Sequence, residues 1–287
     1  MSTEPPLEGL LPAGAATGIG SLPHRDPADA IGLIARTCPA LPFWPQLPRR
    51  DPEEGMIAQG LRGLAAATGW SAFREALDIG IFTEAVALKG QVTGPWTLSR
   101  AAPAEGGPLP LVARLAAQAR AQARALRGLP TLLLVDEPSL GALPAAARPA
   151  AVEAIRCVFE AIRAEGATPG LHCCASMDPT LLPELGPAVF SFDAGPGLED
   201  LLAHPALRAW VDGGGWLCAG LIPTAGPVPP PDALLARWSA CAGPPLGAQG
   251  LVAAACGLGL RPVPDAERRM DAAAGLSAAI RNLSGPI

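Results

Sequence analysis

The feature that most constrains the fold of this chain is a regular alternation of short apolar runs with stretches rich in Ala, Leu and Arg. Short apolar runs are typical of strands buried on both faces, and the stretches between them have the composition of the helices that connect parallel strands. Eight runs fit this description, at residues 15–20, 41–47, 86–92, 131–135, 168–173, 188–192, 216–221 and 250–255. Eight such units in 287 residues predict an α/β fold, a single (β/α)8 TIM barrel, with residues 1–287 forming one domain.

The stretches between the runs predict amphipathic helices. The clearest is residues 147–165, where Val152, Ile155 and Phe159 recur at the i, i+3, i+4 spacing of one buried helix face. Helices are predicted at residues 27–37, 52–64, 109–127, 147–165, 179–185, 197–202, 231–242 and 264–283. The proline-rich residues 224–231 predict a loop over one rim of the barrel.

Charge and composition exclude several classes of function. The formal net charge is −5 and no run of Lys and Arg exceeds two residues, so we expect no nucleic-acid partner. Residues 1–8 are acidic and lack the apolar core of a signal peptide, and no later segment has the length and apolarity of a membrane span. We therefore expect no membrane association and a cytoplasmic location, where the seven cysteines would be reduced thiols or metal ligands.

Two cysteine-containing segments suggest a metal site. His172 lies two residues before Cys174 at the end of a predicted strand. Residues i and i+2 of a strand point to the same side, whereas Cys173 would point to the other side and into the core. Cys256, at the end of the last predicted strand, supplies a second thiol, and two thiolates with one imidazole could form a Cys2His set around zinc. The alternative is that His172 is a hydrogen-bonded core histidine.

Polar residues also follow other predicted strands, and in a barrel the active site lies at the C-terminal ends of the strands. Gly20 and Ser21 predict a tight strand end whose amides can meet a carboxylate. Asp136 could bind substrate at this rim or could cap the turn that follows its strand. His24 could reach the pocket or only its rim, and Gln46 would give a polar tip to a pocket wall.

Five segments, in order along nearly the whole chain, resemble the catalytic barrel of cobalamin-independent methionine synthase. They are residues 19–23 (IGSLP), 90–97 (GQVTGPWT), 135–140 (VDEPSL), 172–174 (HCC) and 255–258 (ACGL). The likeness is to short, single-barrel members of that family and of the superfamily shared with uroporphyrinogen decarboxylase. The resemblance implies a zinc-dependent methyltransferase that methylates a thiol, homocysteine, to give methionine. It leaves a methyl-folate or a corrinoid partner protein as the methyl donor.

The resemblance also implies a zinc ligand set of His172, Cys174 and Cys256 with a fourth ligand at Asp193. The family places a glutamate at that fourth position, and aspartate is one methylene shorter. Asp193 could therefore bind zinc directly, bind it through water, or not bind it and cap the following turn instead.

Substrate contacts follow from the same resemblance. Ile19 and Ser21, with Gly20 between them, would hold the homocysteine carboxylate largely through backbone groups, and Asp136 would pair with the amine. Asp136 and His24 are the candidate catalytic residues, and Gln46 is a further candidate for substrate binding.

Two other functions stay open. A tetrapyrrole decarboxylase of the same superfamily would need several cationic side chains and no metal, whereas the predicted rim offers chiefly Arg25, Arg49 and Arg50. A non-catalytic zinc-binding barrel would hold its metal with four protein ligands and would not respond to thiols.

Overall fold

The computed structural model describes residues 7, 9–241 and 243–284, which form a TIM-barrel-like α/β fold. Its sheet has six strands, each hydrogen-bonded in parallel to the next strand along the chain. The strands are β1 Leu88–Thr93, β2 Thr131–Asp136, β3 Thr168–Cys173, β4 Val189–Asp193, β5 Trp216–Ile222 and β6 Gly250–Ala254. Parallel neighbours place all six C-terminal strand ends at one edge of the sheet, which is where the predicted site residues lie.

Helices connect the strands, in agreement with the predicted alternation. They are α1 Pro27–Thr37, α2 Met56–Arg62, α3 Thr68–Asp78, α4 Pro95–Ala101, α5 Val112–Ala125, α6 Arg148–Arg163, α7 Leu181–Leu185, α8 Leu198–Ala203, α9 Pro205–Asp212, α10 Pro231–Ala240, α11 Leu246–Gln249 and α12 Val263–Ser284. Short 3-10 turns lie at Pro52–Glu54, Pro103–Glu105, Leu109–Leu111, Pro138–Ala142 and Ala145–Ala147. Helix α1 shows how the sequence sets a boundary, because Pro27 occupies the first turn and Asp26 accepts a hydrogen bond from the Ala28 amide.

Two of the eight predicted strands do not form regular strands. The segments 15–20 and 41–47 lie between β6 and β1 and are joined to their neighbours by isolated parallel bridges, which pair Ala16 with Val252, Ser21 with Gln46 and Phe43 with Lys89. Pro42 and Pro45 have no backbone N–H, so the second segment cannot donate a continuous ladder of hydrogen bonds. The structure therefore has six regular strands among its described residues, where the sequence predicts eight.

Each of the eight predicted helices has a helix at its place in the structure, but the boundaries differ. The predicted helix 52–64 is divided at Gly55 into a 3-10 turn and α2, and the predicted helix 231–242 ends at Ala240, with Ala242 outside the described residues. Helices α3, α4, α9 and α11 were not predicted. The acidic segment 1–8 lies outside the described residues except for Leu7. Among the described helices, none combines the length and apolarity needed to cross a membrane.

Each face of the sheet is covered by its own hydrophobic cluster. Alternate strand residues, such as Leu132, Leu134 and Leu251, form one cluster, and we call their side the inner face. The intervening residues pack with the helices in a larger cluster on the outer face, which includes Cys173. The prediction that Cys173 is a core residue is confirmed, and the i, i+2 rule places His172 on the inner face.

Candidate active site

His172, Cys174 and Cys256 meet at the C-terminal edge of the sheet. Their ligand atoms, one imidazole nitrogen and two Sγ atoms, all lie within 4.8 Å of one another. His172 is the fifth residue of β3, Cys174 follows that strand directly, and Cys256 lies two residues beyond β6. The predicted convergence of these three side chains is confirmed.

A hydrogen bond from the next strand fixes the ring of His172. The imidazole is buried, and its Nδ1 lies 3.0 Å from Oγ of Ser191, the residue that faces His172 across the β3–β4 pair. A ring whose Nδ1 is engaged in this way presents Nε2 to the two thiols. Sequence reasoning missed Ser191, although its place on the inner-face alternation of β4 is a signal that could have identified it.

The two thiols are electrostatically different. A hydrogen bond from Cys174, followed by one from His172, lowers the pKa of Cys256 to about 4. The same sharing of one proton raises the pKa of Cys174, because that thiol is the donor to Cys256. The hydrogen bonds that Cys256 accepts favour its thiolate form, which is the form in which cysteine binds a metal.

The donor set fits zinc. Zn–S bonds of about 2.3 Å and Zn–N bonds of about 2.0 Å in a tetrahedral site put neighbouring ligand atoms roughly 3.3–3.8 Å apart. Ligand atoms that lie within 4.8 Å of one another can reach that geometry with small side-chain rotations. Two sulfurs and one imidazole are also the soft ligands that zinc accepts and that magnesium and calcium do not.

Asp193 stands apart from this cluster. It ends β4 with an exposed side chain, and its Oδ1 accepts a hydrogen bond from the Gly195 amide at 2.8 Å. Partial burial raises the pKa of its carboxyl. Asp193 and Cys174 line one cavity of about 210 Å³, so the carboxylate is near the cluster while it caps the turn after β4. Its role as a zinc ligand stays a prediction.

Asp136 is a buried carboxylate with a free acceptor. It ends β2 directly beside His172 of β3, and its Oδ1 is buried without a hydrogen-bond partner among the described residues. Burial raises the pKa of Asp136 to about 6, although the nearby His172 and Lys89 act in the opposite direction. A buried acceptor without a hydrogen-bond partner lowers the stability of the folded protein. A hydrogen-bond donor on a bound ligand could satisfy this oxygen.

The segment around Ser21 offers donors. Among the described residues, none accepts a hydrogen bond from the backbone N–H of Gly20 or Ser21. Ser21 Oγ accepts a hydrogen bond from Gly259, and a Cβ on Gly257 would lie 2.2 Å from that oxygen. Glycine at position 257 thus lets the loop that carries Cys256 pack directly on Ser21.

The other two predicted site residues make contacts of a different kind. Gln46 is buried and donates from Nε2 to Oε1 of Gln59 at 2.8 Å. The amide nitrogen of Gln59 is buried and has no hydrogen-bond partner in the part of the chain that the structure describes. His24 is buried with Nε2 3.4 Å from Glu267 of α12, and its Nδ1 has no partner among the described residues. Their roles in binding or catalysis stay predictions.

Glu137 has a structural role that the sequence did not reveal. Its buried carboxylate accepts hydrogen bonds from the amides of Trp96 at 2.8 Å and Thr97 at 2.7 Å, so it caps the start of α4 from the end of β2. Burial raises the pKa of Glu137 to about 7 in spite of these bonds. A Cβ on Gly94 would lie 2.1 Å from this carboxyl group, which explains the glycine before α4.

We expect Glu137→Ala to lower the free energy of unfolding by about 3 kcal/mol, because two buried amides lose their acceptor and a cavity opens. Chemical denaturation measures this. The matched control is Glu160→Ala on the exposed side of α6, which we expect to change stability by less than about 0.5 kcal/mol. Equal stabilities of the two variants would contradict the capping role.

No protein-family model matches the chain, and no curated protein matches it either. Solved structures do. The chain aligns with a methyltransferase from Methanosarcina mazei at a TM-score of 0.59 and 13% identity, covering 95% of this chain and 95% of that chain.

It also aligns with a B12-independent methionine synthase from Shewanella sp. W3-18-1, in complex with selenomethionine, at a TM-score of 0.56 and 12% identity, covering 74% of this chain and 67% of that one. A third match is the exo-β-1,4-mannosidase Op5Man5 from Opitutaceae bacterium strain TAV5. It aligns at a TM-score of 0.54 and 18% identity, covering 99% of this chain and 62% of that one. At these identities the likeness shows a shared fold, and one fold carries many chemistries.

Proposed function

We propose that this chain is a zinc-dependent methyltransferase that transfers a methyl group to the sulfur of homocysteine and so forms methionine. The observation that carries the proposal is the meeting of His172, Cys174 and Cys256 within 4.8 Å at the C-terminal edge of a parallel sheet. In barrel enzymes this edge is the catalytic one. The resemblance of five ordered segments to cobalamin-independent methionine synthase supports the same activity.

His172, Cys174 and Cys256 would hold the metal, and Asp193 is the candidate for a fourth, displaceable ligand. A bound zinc ion would supply deprotonation of the acceptor thiol, whose free pKa near ~8.5 otherwise keeps it mostly protonated at neutral pH. With Cys174 and Cys256 as the other sulfur ligands, that sulfur would stay electron-rich enough to attack a methyl group. Asp193 is the last residue of β4 and its side chain is exposed, which gives the carboxylate room to move.

The remaining site residues would orient the amino-acid head group of the acceptor. The unengaged amides of Gly20 and Ser21 can bind a carboxylate, and Oδ1 of Asp136 can accept from an ammonium group. A ligand that carries both a carboxylate and an ammonium group would satisfy these unpartnered polar atoms. Together they favour an α-amino acid that carries a thiol over a simple thiol. Gln46 and His24 would lie at the border of this pocket.

The methyl donor is a methyl-corrinoid protein or a methyl-folate in this proposal. A donor screen tests it: purified protein is incubated with homocysteine and with methylcobalamin, a methylated corrinoid protein or methyltetrahydrofolate, and methionine is measured. We expect methionine from at least one donor. A zinc-loaded protein that forms none, and whose cobalt-substituted form shows no spectral change with homocysteine, would favour a non-catalytic zinc-binding barrel.

The contact between Ser191 and His172 gives a further prediction. Ser191→Ala removes the partner of Nδ1, so we expect zinc affinity to fall about 10- to 100-fold while the fold is retained. Competition with a zinc chelator measures this affinity. Ser176→Ala, in the loop after β3 and exposed, is the matched control. Unchanged zinc affinity in Ser191→Ala would show that the contact does not orient the ring.

A further inference from the structure

Lys89 is the only lysine among the 287 residues, and it is fully buried. Lysine is among the residues least often buried without a charged partner, and all other cationic side chains of this chain are arginines or histidines. Lys89 belongs to β1, on the inner face of the sheet beneath the candidate active site. Its position calls for a physical reason, because burying an ammonium group costs stability.

The contacts of Lys89 lead directly to the predicted substrate segment. Its Nζ donates to the backbone oxygen of Ile19 at 2.6 Å and to Oε1 of Gln91 at 3.1 Å, and it lies 5.8 Å from the ring centroid of Phe43. Both acceptors are neutral oxygens, so the positive charge is not cancelled by a direct ion pair at these contacts.

The bond to Ile19 fixes one peptide group. In a trans peptide the C=O and the following N–H point in opposite directions. An Ile19 oxygen held on Nζ therefore directs the Gly20 N–H away from Lys89, and that N–H is unengaged among the described residues. The peptide between Ile19 and Gly20 thus has a buried cation on one side and a free donor on the other.

We propose that Lys89 is a positioning residue for the substrate carboxylate. Its hydrogen bond to Ile19 orients the Gly20 N–H toward the carboxylate, and its buried positive charge lies on the opposite side of the same peptide group. This inference rests on the proposed function. A carboxylate on the Gly20 amide would lie roughly 7 Å from Nζ, and at an effective dielectric constant of about 20 the attraction is worth at least about tenfold in affinity.

The protonation of Lys89 gives this proposal a pH signature. Burial lowers the pKa of Lys89 to about 8, against the opposing influence of Asp136, Cys218 and Cys38, which are the titratable groups that face it. The charge is present below pH 8 and is lost as the pH rises through that value. The preference for a carboxylate-bearing ligand should decline over the same range.

The experiment compares homocysteine with 3-amino-1-propanethiol, the same thiol without its carboxylate, by calorimetry on zinc-loaded protein. We expect Lys89→Met to weaken the binding of homocysteine at least about tenfold. The affinity for 3-amino-1-propanethiol and the zinc content should not change. Arg156→Met, which removes one cation from the exposed surface of α6, is the matched control and should change neither affinity. In wild type, the ratio of the two affinities should fall above pH 8.

A second measurement uses the wild-type protein and does not depend on the folding of the variant. Lysine labelled with ¹³C at Cε gives one resonance, because the chain has one lysine. We expect homocysteine to raise the titration midpoint of this resonance and 3-amino-1-propanethiol to leave it in place. The inference would be overturned if Lys89→Met weakened the binding of both thiols equally, or if the resonance did not respond to homocysteine. Wild-type protein that binds neither thiol would overturn the proposed function itself.

Discussion

Replacing His172 by alanine should reduce bound zinc from about one ion per chain to nearly none. The three ligand atoms lie within 4.8 Å of one another. Without the imidazole only two thiols of this cluster remain, which is fewer than the three protein ligands of an open zinc site. Cys256→Ser should have the same effect, because a neutral hydroxyl replaces the group whose pKa is lowered to about 4 by hydrogen bonds from Cys174 and His172. Metal analysis of the purified variants measures both losses.

Under the proposed function, the loss of zinc should lower the rate of methyl transfer to homocysteine by on the order of a thousandfold. That factor corresponds to the several kcal/mol that a metal ion contributes to the reaction of a bound group, at about 1.4 kcal/mol per tenfold. Without the metal the acceptor thiol is mostly protonated at neutral pH. Cys173→Ala is the matched control, since this neighbouring thiol packs in the outer-face core, and it should keep zinc and activity. Full zinc content in both His172→Ala and Cys256→Ser would refute the ligand assignment.

The meeting of His172, Cys174 and Cys256 could be predicted from sequence because it depends on simple rules of strand geometry. Strand alternation puts His172 and Cys174 on one side and Cys173 on the other, and parallel strands bring Cys256 to the same edge. The two segments 15–20 and 41–47 show the limit of the same reasoning. Their apolar composition predicts strands, but whether a segment forms a regular ladder depends on partners far away in sequence and on the amides that proline removes.

Glu137, Ser191 and Lys89 were not predicted because their roles lie in long-range contacts. Glu137 caps a helix that begins 42 positions earlier in the chain, and Lys89 donates to Ile19, 70 positions away. Neither contact leaves a spacing pattern in the sequence. The solitary lysine was visible as a count, but only its burial against Ile19 makes it informative.

The second large effect is expected at Asp136. Asp136→Asn keeps the shape of the side chain and removes the charge from a buried position whose Oδ1 has no partner among the described residues. If this oxygen accepts a hydrogen bond from the ammonium group of homocysteine, the substitution breaks a buried charged hydrogen bond. Such a loss costs about 2–5 kcal/mol, so kcat/KM for homocysteine should fall about 100-fold.

The specificity of that loss is the decisive readout. The acceptor 4-mercaptobutyrate has the thiol and carboxylate of homocysteine without the amine, so Asp136→Asn should change its kcat/KM less than about threefold, since no charged hydrogen bond is broken. Zinc content should stay at the wild-type value, because Asp136 is not among the three clustered ligands. Asp232→Asn, on the exposed first turn of α10, is the matched control and should leave both acceptors unchanged. An equal fall for both acceptors would mean that Asp136 supports the site through its neighbours His172 and Lys89 rather than through the substrate amine.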